Sequence, residues 1–504
     1  MDKTALTLIV FLLPLLGSPI QAQDTKQPSS SVPTNDDRET SLRLPDSPSH
    51  QQNFVLPPNR EAGVIPKPRT EMRTDHEYTL TELIDIAERE NPETRVAWQR
   101  ARNAAISAGV AESTYLPVVT ANVLAAYQGA QGSNSGSGVT LHNSGKLYGS
   151  AETVSLVWLL FDFGGRRNIV DSVRKLSTVS NIGFTGAHQQ VIYAVSIAYY
   201  TYVGAVQRHH TAVEALANAK DIEAAAEARY KQGEGTVIET AQTRDLTARA
   251  QLTEVTTQGA EQQAYAALLA AMGISPLTTI RIRPVEHHAL LKEDLAPADE
   301  IVRDALSRRP DVLEAYNTVQ ASQASVKAAQ AQNRPKIFLA GTGAYVSGQV
   351  GLTAIPGIGQ QLPTLNITGN QWNGTILVGL SIPIFDGHRR ANAIQQAKND
   401  EDKAAATLNE VRLNAVREIV SAQISLRTSL AANDAASVSR TTAQTSYDAA
   451  LDSYKQGVGT VTAAVEAETH LFEADLAEAD AYTSALSAAA MLAYVTGQLG
   501  AAPR

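Results

Sequence analysis

The apolar positions of this chain follow two periods, and the two succeed each other twice. Around Leu80, Leu83, Ile84 and Ala87 they fall on one face of a helix, within a helical stretch starting at Tyr78, with Thr79 or Thr81 placed to cap the first turn. Asn91-Pro92 interrupts that pattern, and a second helix is predicted from Glu93 to about Thr114. After Leu116-Pro117 the period becomes two: Val119, Ala121, Val123 and Ala125 alternate with Thr120, Asn122 and Leu124, as in a half-buried strand. The stretch from Gly129 to Gly149 is rich in Gly, Ser and Asn and reads as a loop. A second alternation sets Val154, Leu156, Trp158 and Leu160 against Thr153, Ser155 and Val157. From Arg166 to Arg229 the chain reads as one Ala-rich helix of about 64 residues, roughly 96 Å if unbroken. A return helix is predicted from Val237 to Met272.

The second half repeats this plan. Helices are predicted over Ala298–Arg309 and Asp311–Gln332, split by Pro310, and Pro335 opens a strand through Tyr345. A Gly-rich loop runs to about Gln371, and Thr375–Ile382 alternates again. Arg390–Ser453 matches the first long helix in length, and a return helix runs from Val461 to about Tyr494. Both turns between long helices carry almost the same octapeptide, Tyr230-Lys-Gln-Gly-Glu-Gly-Thr-Val237 and Tyr454-Lys-Gln-Gly-Val-Gly-Thr-Val461. These copies lie 224 residues apart, as do Phe161-Asp162 and Phe385-Asp386, and Arg166 and Arg390; Pro92 and Pro310, and Pro117 and Pro335, lie 218 apart. Five landmarks in one order mark an internal duplication, with two long helical hairpins and two strand pairs. Four strands with one apolar face cannot stand uncovered in water. They form either a small sheet packed on helices or a share of a membrane barrel, whose signal is such alternation with long loops on one side.

The ends differ from this repeat. Met1–Ala22 has Lys3, an apolar run from Leu6 to Leu16 and a small-residue site before Gln23, the pattern of a secretory signal peptide too short to span a bilayer. Residues 23–77 hold scattered charge and eight prolines from Pro28 to Pro68 without apolar periodicity, and are expected to form a disordered or surface-draped tail. The chain has no cysteine, so neither a disulfide nor a lipid on an N-terminal thiol is possible. A net charge of -9 and a pI near 5.7 leave no basic footprint for nucleic acid. No catalytic, metal or cofactor motif is present. The pairs His209-His210 and His287-His288 are adjacent, so on a helix they point about 100° apart and do not make an i, i+4 zinc pair.

Taken in order, Leu80-Thr81-Glu82-Leu83, Asn91-Pro92-Glu93, Leu116-Pro117, Leu160-Phe161-Asp162 with Gly164, Arg309-Pro310-Asp311, Pro335, Pro383-Ile384-Phe385-Asp386-Gly387 and the Tyr-x-x-Gly tips resemble the TolC-type outer-membrane efflux protein family. The resemblance runs from about Tyr78 to Gly500 and divides the chain into repeats at 78–297 and 298–504. It implies a mainly α fold with a small β membrane part: long helical hairpins in a periplasmic tunnel, and four strands per protomer in a trimeric 12-stranded barrel. It implies a homotrimer in the outer membrane, in contact with its lipid, docked to a periplasmic adaptor (membrane fusion) protein and an inner-membrane pump as a passive exit duct for efflux or type I secretion. Leu159 stands where the second copy has Pro383, so the two junctions need not bend alike.

The resemblance also assigns sites. The tips Gly233, Gly235, Thr236, Gly457, Gly459 and Thr460 correspond to the adaptor-docking end, although the glycines read equally as turn formers. Alignment on the tips puts Glu466 at an acidic ring position of the gate and Glu239 at a nearby acidic position, with Gln242 where a further acid could stand. Tyr230 and Tyr454 could hydrogen-bond the inner helices shut or pack the turn. Glu466 and Glu468 read equally as a solvated helix face. A different class, a soluble periplasmic adaptor or scaffold with helical hairpins, is the alternative to the duct.

Overall fold

The computed structural model describes residues 62–65, 70, 72–136, 139–283, 297–352 and 365–499. The predicted signal peptide 1–22, most of the tail 23–77, and His287 and His288 lie outside them. The elements are β1 (Glu77–Tyr78), α1 (Leu80–Glu90), α2 (Pro92–Ser113), β2 (Val118–Gly136), β3 (Val139–Phe161), α3 (Gly165–Lys231), α4 (Val237–Ala271), β4 (Arg281–Ile282), α5 (Ala298–Leu306), α6 (Pro310–Ala331), β5 (Lys336–Leu352), β6 (Leu365–Thr368), β7 (Gln371–Ser381), α7 (Arg389–Lys455) and α8 (Val461–Val495). The long helices α3 and α7 have 67 residues each, about 100 Å of helix.

Each helix boundary has a local cause. Thr79 caps α1 in a capping box with Glu82, whose carboxyl is held down to about 2, first by the Thr79 backbone N–H and then by His76. The helix therefore starts at Leu80, and Tyr78, read from the sequence as helical, pairs instead with Ile282 in the two-residue parallel contact of β1 with β4. Pro92 and Pro310 occupy the first turns of α2 and α6, and the residues before them, Asn91 and Arg309, are extended. That is why α5 stops at Leu306, short of the predicted Arg309.

The two breaks are pinned in the same way. Asn91 Nδ2 donates to the Ala271 carbonyl at the end of α4 (2.9 Å). Arg309, its counterpart, donates Nη1 to the Val495 carbonyl at the end of α8 (3.2 Å) while Nη2 holds Asp311 and Glu418 (2.7 Å each). Gly273 and Gly497 end these return helices in the left-handed region (φ +78° and +70°) and lean on the same breaks. A Cβ on Gly273 would meet Asn91 Cα at 2.6 Å; on Gly497 it would meet the Arg308 carbonyl carbon at 3.3 Å.

The strand-to-helix junctions also share one device. Asp162 Oδ2 accepts the Arg166 N–H (2.6 Å), and Asp386 Oδ2 accepts Arg390 N–H and Nε (3.1 and 2.8 Å). Each turn needs two successive left-handed residues, and each has one glycine, in opposite places: Phe163-Gly164 and Gly387-His388. The junctions do differ at Leu159 and Pro383. β3 pairs through Phe161 across an irregularity after Leu159, whereas β7 ends at Ser381, ahead of the proline that has no N–H to pair.

The main sheet is antiparallel, in the order β2-β3-β5 with β6 and β7 both on β5. β6 and β7 are one strand interrupted at Gly369-Asn370: β7 pairs the lower part of β5 and β6 its upper part. The strands exceed their sequence signal. The predicted loop Gly129–Gly149 is a continuation of the β2–β3 ladder to the Gly136↔Val139 pair, and β5 runs to Leu352. Backbone hydrogen bonds do not need apolar alternation, so Gly, Ser and Asn can extend a hairpin that periodicity misses. Register places Val119, Val154, Leu156, Leu339, Ile376 and Val378 on one face, and Thr120, Asn122, Thr153, Ser155, Thr342 and Thr375 on the other. The apolar face is bare: Ile376 is 83% and Trp372 77% exposed. Trp158 marks its lower end and the Tyr345–Trp372 ring pair its upper end. They stand six residues apart along β5, about 20 Å.

The helices pack side by side, with α2 on α3, α3 on α6, α6 on α7, and α8 on both α3 and α7. The core is thin and rich in alanine; Ala212, Ala219, Ala226, Ala415 and Ala464 are fully or nearly fully buried, as close helix approach requires. Replacing Gly273 by alanine should destabilise by about 1–3 kcal/mol, because backbone meets backbone in a left-handed turn. Gly497→Ala should cost less. Thermal unfolding of the detergent-solubilised protein checks the order; equal shifts would refute the close approach at Asn91.

Candidate functional site

The far ends of the α3–α4 and α7–α8 hairpins come together at the paired octapeptides. Each turn uses its two glycines for different reasons. Gly233 and Gly457 are left-handed, with φ +81° and +79°. Gly235 and Gly459 allow close approach: an added Cβ would meet the Tyr230 backbone nitrogen at 2.9 Å, or Ser453 Cβ at 3.0 Å. The backbone N–H groups of Glu234 and Gly235 both donate to the Arg229 carbonyl, and those of Val458 and Gly459 to the Ser453 carbonyl. Thr236 and Thr460 then cap α4 and α8, their hydroxyls accepting from the Glu239 and Ala463 N–H groups (3.2 Å each).

Identical turns are put to unlike use. Tyr454 is 1% exposed, packed with Ile222 and Ala226 of α3 and Val461 and Ala464 of α8, whereas Tyr230 is 48% exposed. Arg229 crosses between the hairpins. Its Nη1 donates to the Tyr454 carbonyl (2.8 Å), and its guanidinium lies 5.1 Å from the centre of the Tyr454 ring. The Tyr454 hydroxyl donates onward to Glu239 Oε2 at 3.5 Å, a long bond. Burial raises the Tyr454 hydroxyl above its ordinary value, and the Glu239 carboxylate adds to this. One clamp therefore ties α3, α4 and the α7–α8 turn.

Of the residues singled out from the sequence, the structure brings together Tyr454 and Glu239. Among the described residues, no hydrogen bond joins Tyr230 or Glu466 to the clamp, and both are exposed. Glu468 is 4% exposed, so a shared solvated face fails for it; two residues apart on a helix, Glu466 and Glu468 point nearly oppositely. Sequence reading missed Arg229. Its signal is present only as a difference, since the second copy has Ser453 at that place. His209 and His210 diverge, towards Thr257 and Glu214.

Residues 83–274 and 301–498 match the model of the outer membrane efflux protein family, and the chain belongs to that family. Protein CyaE of Bordetella pertussis is 26% identical over 359 residues, 71% of either chain. Outer membrane protein OprJ of Pseudomonas aeruginosa is 25% identical over 52% of this chain and 51% of its own length. Among solved structures, the outer-membrane channel OprN superposes with a TM-score of 0.69 at 21% identity, covering 90% of this chain and 98% of that one. VceC of Vibrio cholerae gives 0.69 at 20% identity, over 83% and 96%.

The protein is thus an outer-membrane exit channel, a passive conduit and not an enzyme. Its helices form a tunnel in the periplasm, and its strands, counting β6 and β7 as one, are its small β part in the outer membrane. The exposed apolar face meets lipid, which sets aside the soluble adaptor. With the helices in the periplasm, the Gly136–Val139 end of the β2–β3 hairpin points out of the cell. In this cysteine-free chain, Ser135→Cys should react with a membrane-impermeant thiol reagent on intact cells; labelling only after lysis would reverse the orientation.

Proposed function

We propose that this channel is the exit duct of a tripartite efflux or type I secretion assembly, docked at its hairpin tips to a periplasmic adaptor and through it to an inner-membrane pump. At rest it is held shut by the Arg229–Tyr454–Glu239 clamp. The observation that carries this reading is the clamp itself. It joins the two hairpins of one protomer at the end farthest from the membrane, and widening that end requires them to part. On this reading residues 1–22 are the export signal and 23–77 a tail. Residues 78–297 and 298–504 are two efflux repeats, each giving a strand pair and one hairpin. Bare apolar residues on the outer helices, Leu252 and Val255 on α4 and Leu413 and Val438 on α7, support contact with neighbouring protomers of a homotrimer. Glu466, exposed on α8 near the tip, is free to line the lumen as an acidic ring that attracts cations.

Single-channel recording in planar bilayers tests the gate. Tyr454→Phe should raise the resting open probability about fivefold, because a bond to a carboxylate as long as 3.5 Å is worth about 1 kcal/mol. Arg229→Ala should raise it on the order of tenfold or more, since a charged bond and a cation–ring contact go together. Glu466→Gln should lower cation selectivity. Unchanged currents in all three would remove these residues from the gate.

Docking needs a different probe. Gly235 and Gly459 are committed to the turn, so enlarging either disturbs the hairpin itself. Between them and the left-handed glycines stand Glu234 and Val458, and Val458 is 82% exposed, an apolar side chain at the outermost point of a tip. Val458→Glu should leave a folded trimer in the membrane and cut export roughly tenfold, as loss of one buried interface anchor does. Full export with Val458→Glu would place docking elsewhere.

A further inference from the structure

About two turns above the α8 tip, the seam between the hairpins contains a carboxyl that the clamp does not use. Glu468 lines the seam together with Ala215 and Asn218 of α3, Gln444 of α7 and Leu471 and Phe472 of its own helix, and lies near enough to the Tyr447 hydroxyl to act on it. It is 4% exposed, and among the described residues no hydrogen bond or ion pair reaches it. It opens on a cavity of about 220 Å³ lined by Thr211, Glu214 and Asn218 of α3, Arg440 of α7 and Asp475 of α8. Arg440, the cation lining that cavity, is already engaged: its guanidinium bonds Asp475 at 2.7 Å and lies 3.4 Å from Glu478. The other charges lining the cavity or acting on Glu468 and Tyr447 are acidic, namely Glu214 and Asp221 from α3, Asp448 from α7 and Asp475 from α8; the further cations that cross the seam, Arg208 and Arg229, are engaged with Asp480 and with Tyr454.

An unpaired carboxylate in such a seam is costly, while the neutral acid is tolerated. Opening the seam would hydrate it. We propose that Glu468 is a proton-operated latch: neutral, it lets α8 seat against α3 and α7; ionised, it drives the hairpins apart, so that periplasmic pH sets how firmly the resting duct is shut. This rests on the reading that the hairpins part when the duct opens. Burial first, then Asp475, pushes the carboxyl from its ordinary 4.5 up to about 7 in the closed seam, and burial and Glu468 push the Tyr447 hydroxyl up to about 12. A raised carboxyl value means the closed form binds the proton more tightly than the open form. Closure is therefore firmest below pH 4.5, weakens as pH rises from there to about 7, and weakens no further above. The open-to-closed ratio would rise by up to about 300-fold per protomer across that window.

Recording the wild-type trimer in planar bilayers from about pH 5 to about pH 8 should show resting open probability climbing, with a midpoint near 7. Glu468→Gln, neutral throughout, should stay at the acid level. Hydrogen exchange of the unmutated channel, corrected for intrinsic rates, provides a second readout: residues 464–471 should lose protection over the same window and α1 should not. A flat wild-type profile, or the same climb in Glu468→Gln, overturns the latch. The gate reading fails separately: Tyr454→Phe should shift currents at every pH, and if it does nothing while the Glu468 titration stands, the clamp is wrong and the latch is not.

Discussion

Two rows of backbone groups that have no ladder partner among the described residues govern this molecule. β2 and β7 are the edges of the main sheet, and each presents unpaired N–H and C=O groups beside an apolar face that meets lipid. Hydrocarbon offers no hydrogen bonds, so the edges must be covered by other strands. In the proposed homotrimer neighbouring protomers supply them: β7 runs down where the next β2 runs up, so the ladder would close antiparallel. Closing the sheet into a ring also closes the helices into a tube, because every strand pair leads through a tight Asp–Arg turn into a long helix. The thin alanine-rich wall follows. A tube wall one helix thick has little interior, and it is stabilised by close approach rather than by large buried side chains.

Much of this was legible in the sequence because its causes are local. Prolines at 92 and 310, glycines at 233 and 457, and aspartates at 162 and 386 act on the backbone within a few residues, so their spacing revealed the duplication and the hairpins. The misses have physical reasons too. Gly129–Gly149 carries no alternation, yet its backbone pairs. Tyr78 lies in a helical pattern, but the Thr79 cap excludes it and Ile282, two hundred residues on, recruits it. The candidate site was the least legible. Tyr230 and Tyr454 open nearly the same octapeptide and have opposite surroundings in space, because only the second faces the other hairpin.

That asymmetry is the main product of the duplication. The first copy contributes a cation and an acid, Arg229 and Glu239, and the second contributes the ring between them. A clamp made of two identical halves would bring like groups together; divergence at Arg229 and Ser453 makes the halves complementary. Glu468 shows the same logic. Its first-copy counterpart is Arg244, which is exposed and bonds Glu227 along its own hairpin.

The Gly-x-Gly tip constrains how such a channel can change. One glycine is fixed by its backbone angle and the other by the crowding of the turn, so neither tolerates replacement. The residue between them, Glu234 in one turn and Val458 in the other, serves the hairpin through its backbone N–H alone, and its side chain is exposed. Around the mouth of the proposed homotrimer these two positions would alternate, acidic and apolar. They form a short address that can be rewritten letter by letter while the scaffold that displays it stays the same, so a lineage can exchange one partner for another without passing through a misfolded intermediate.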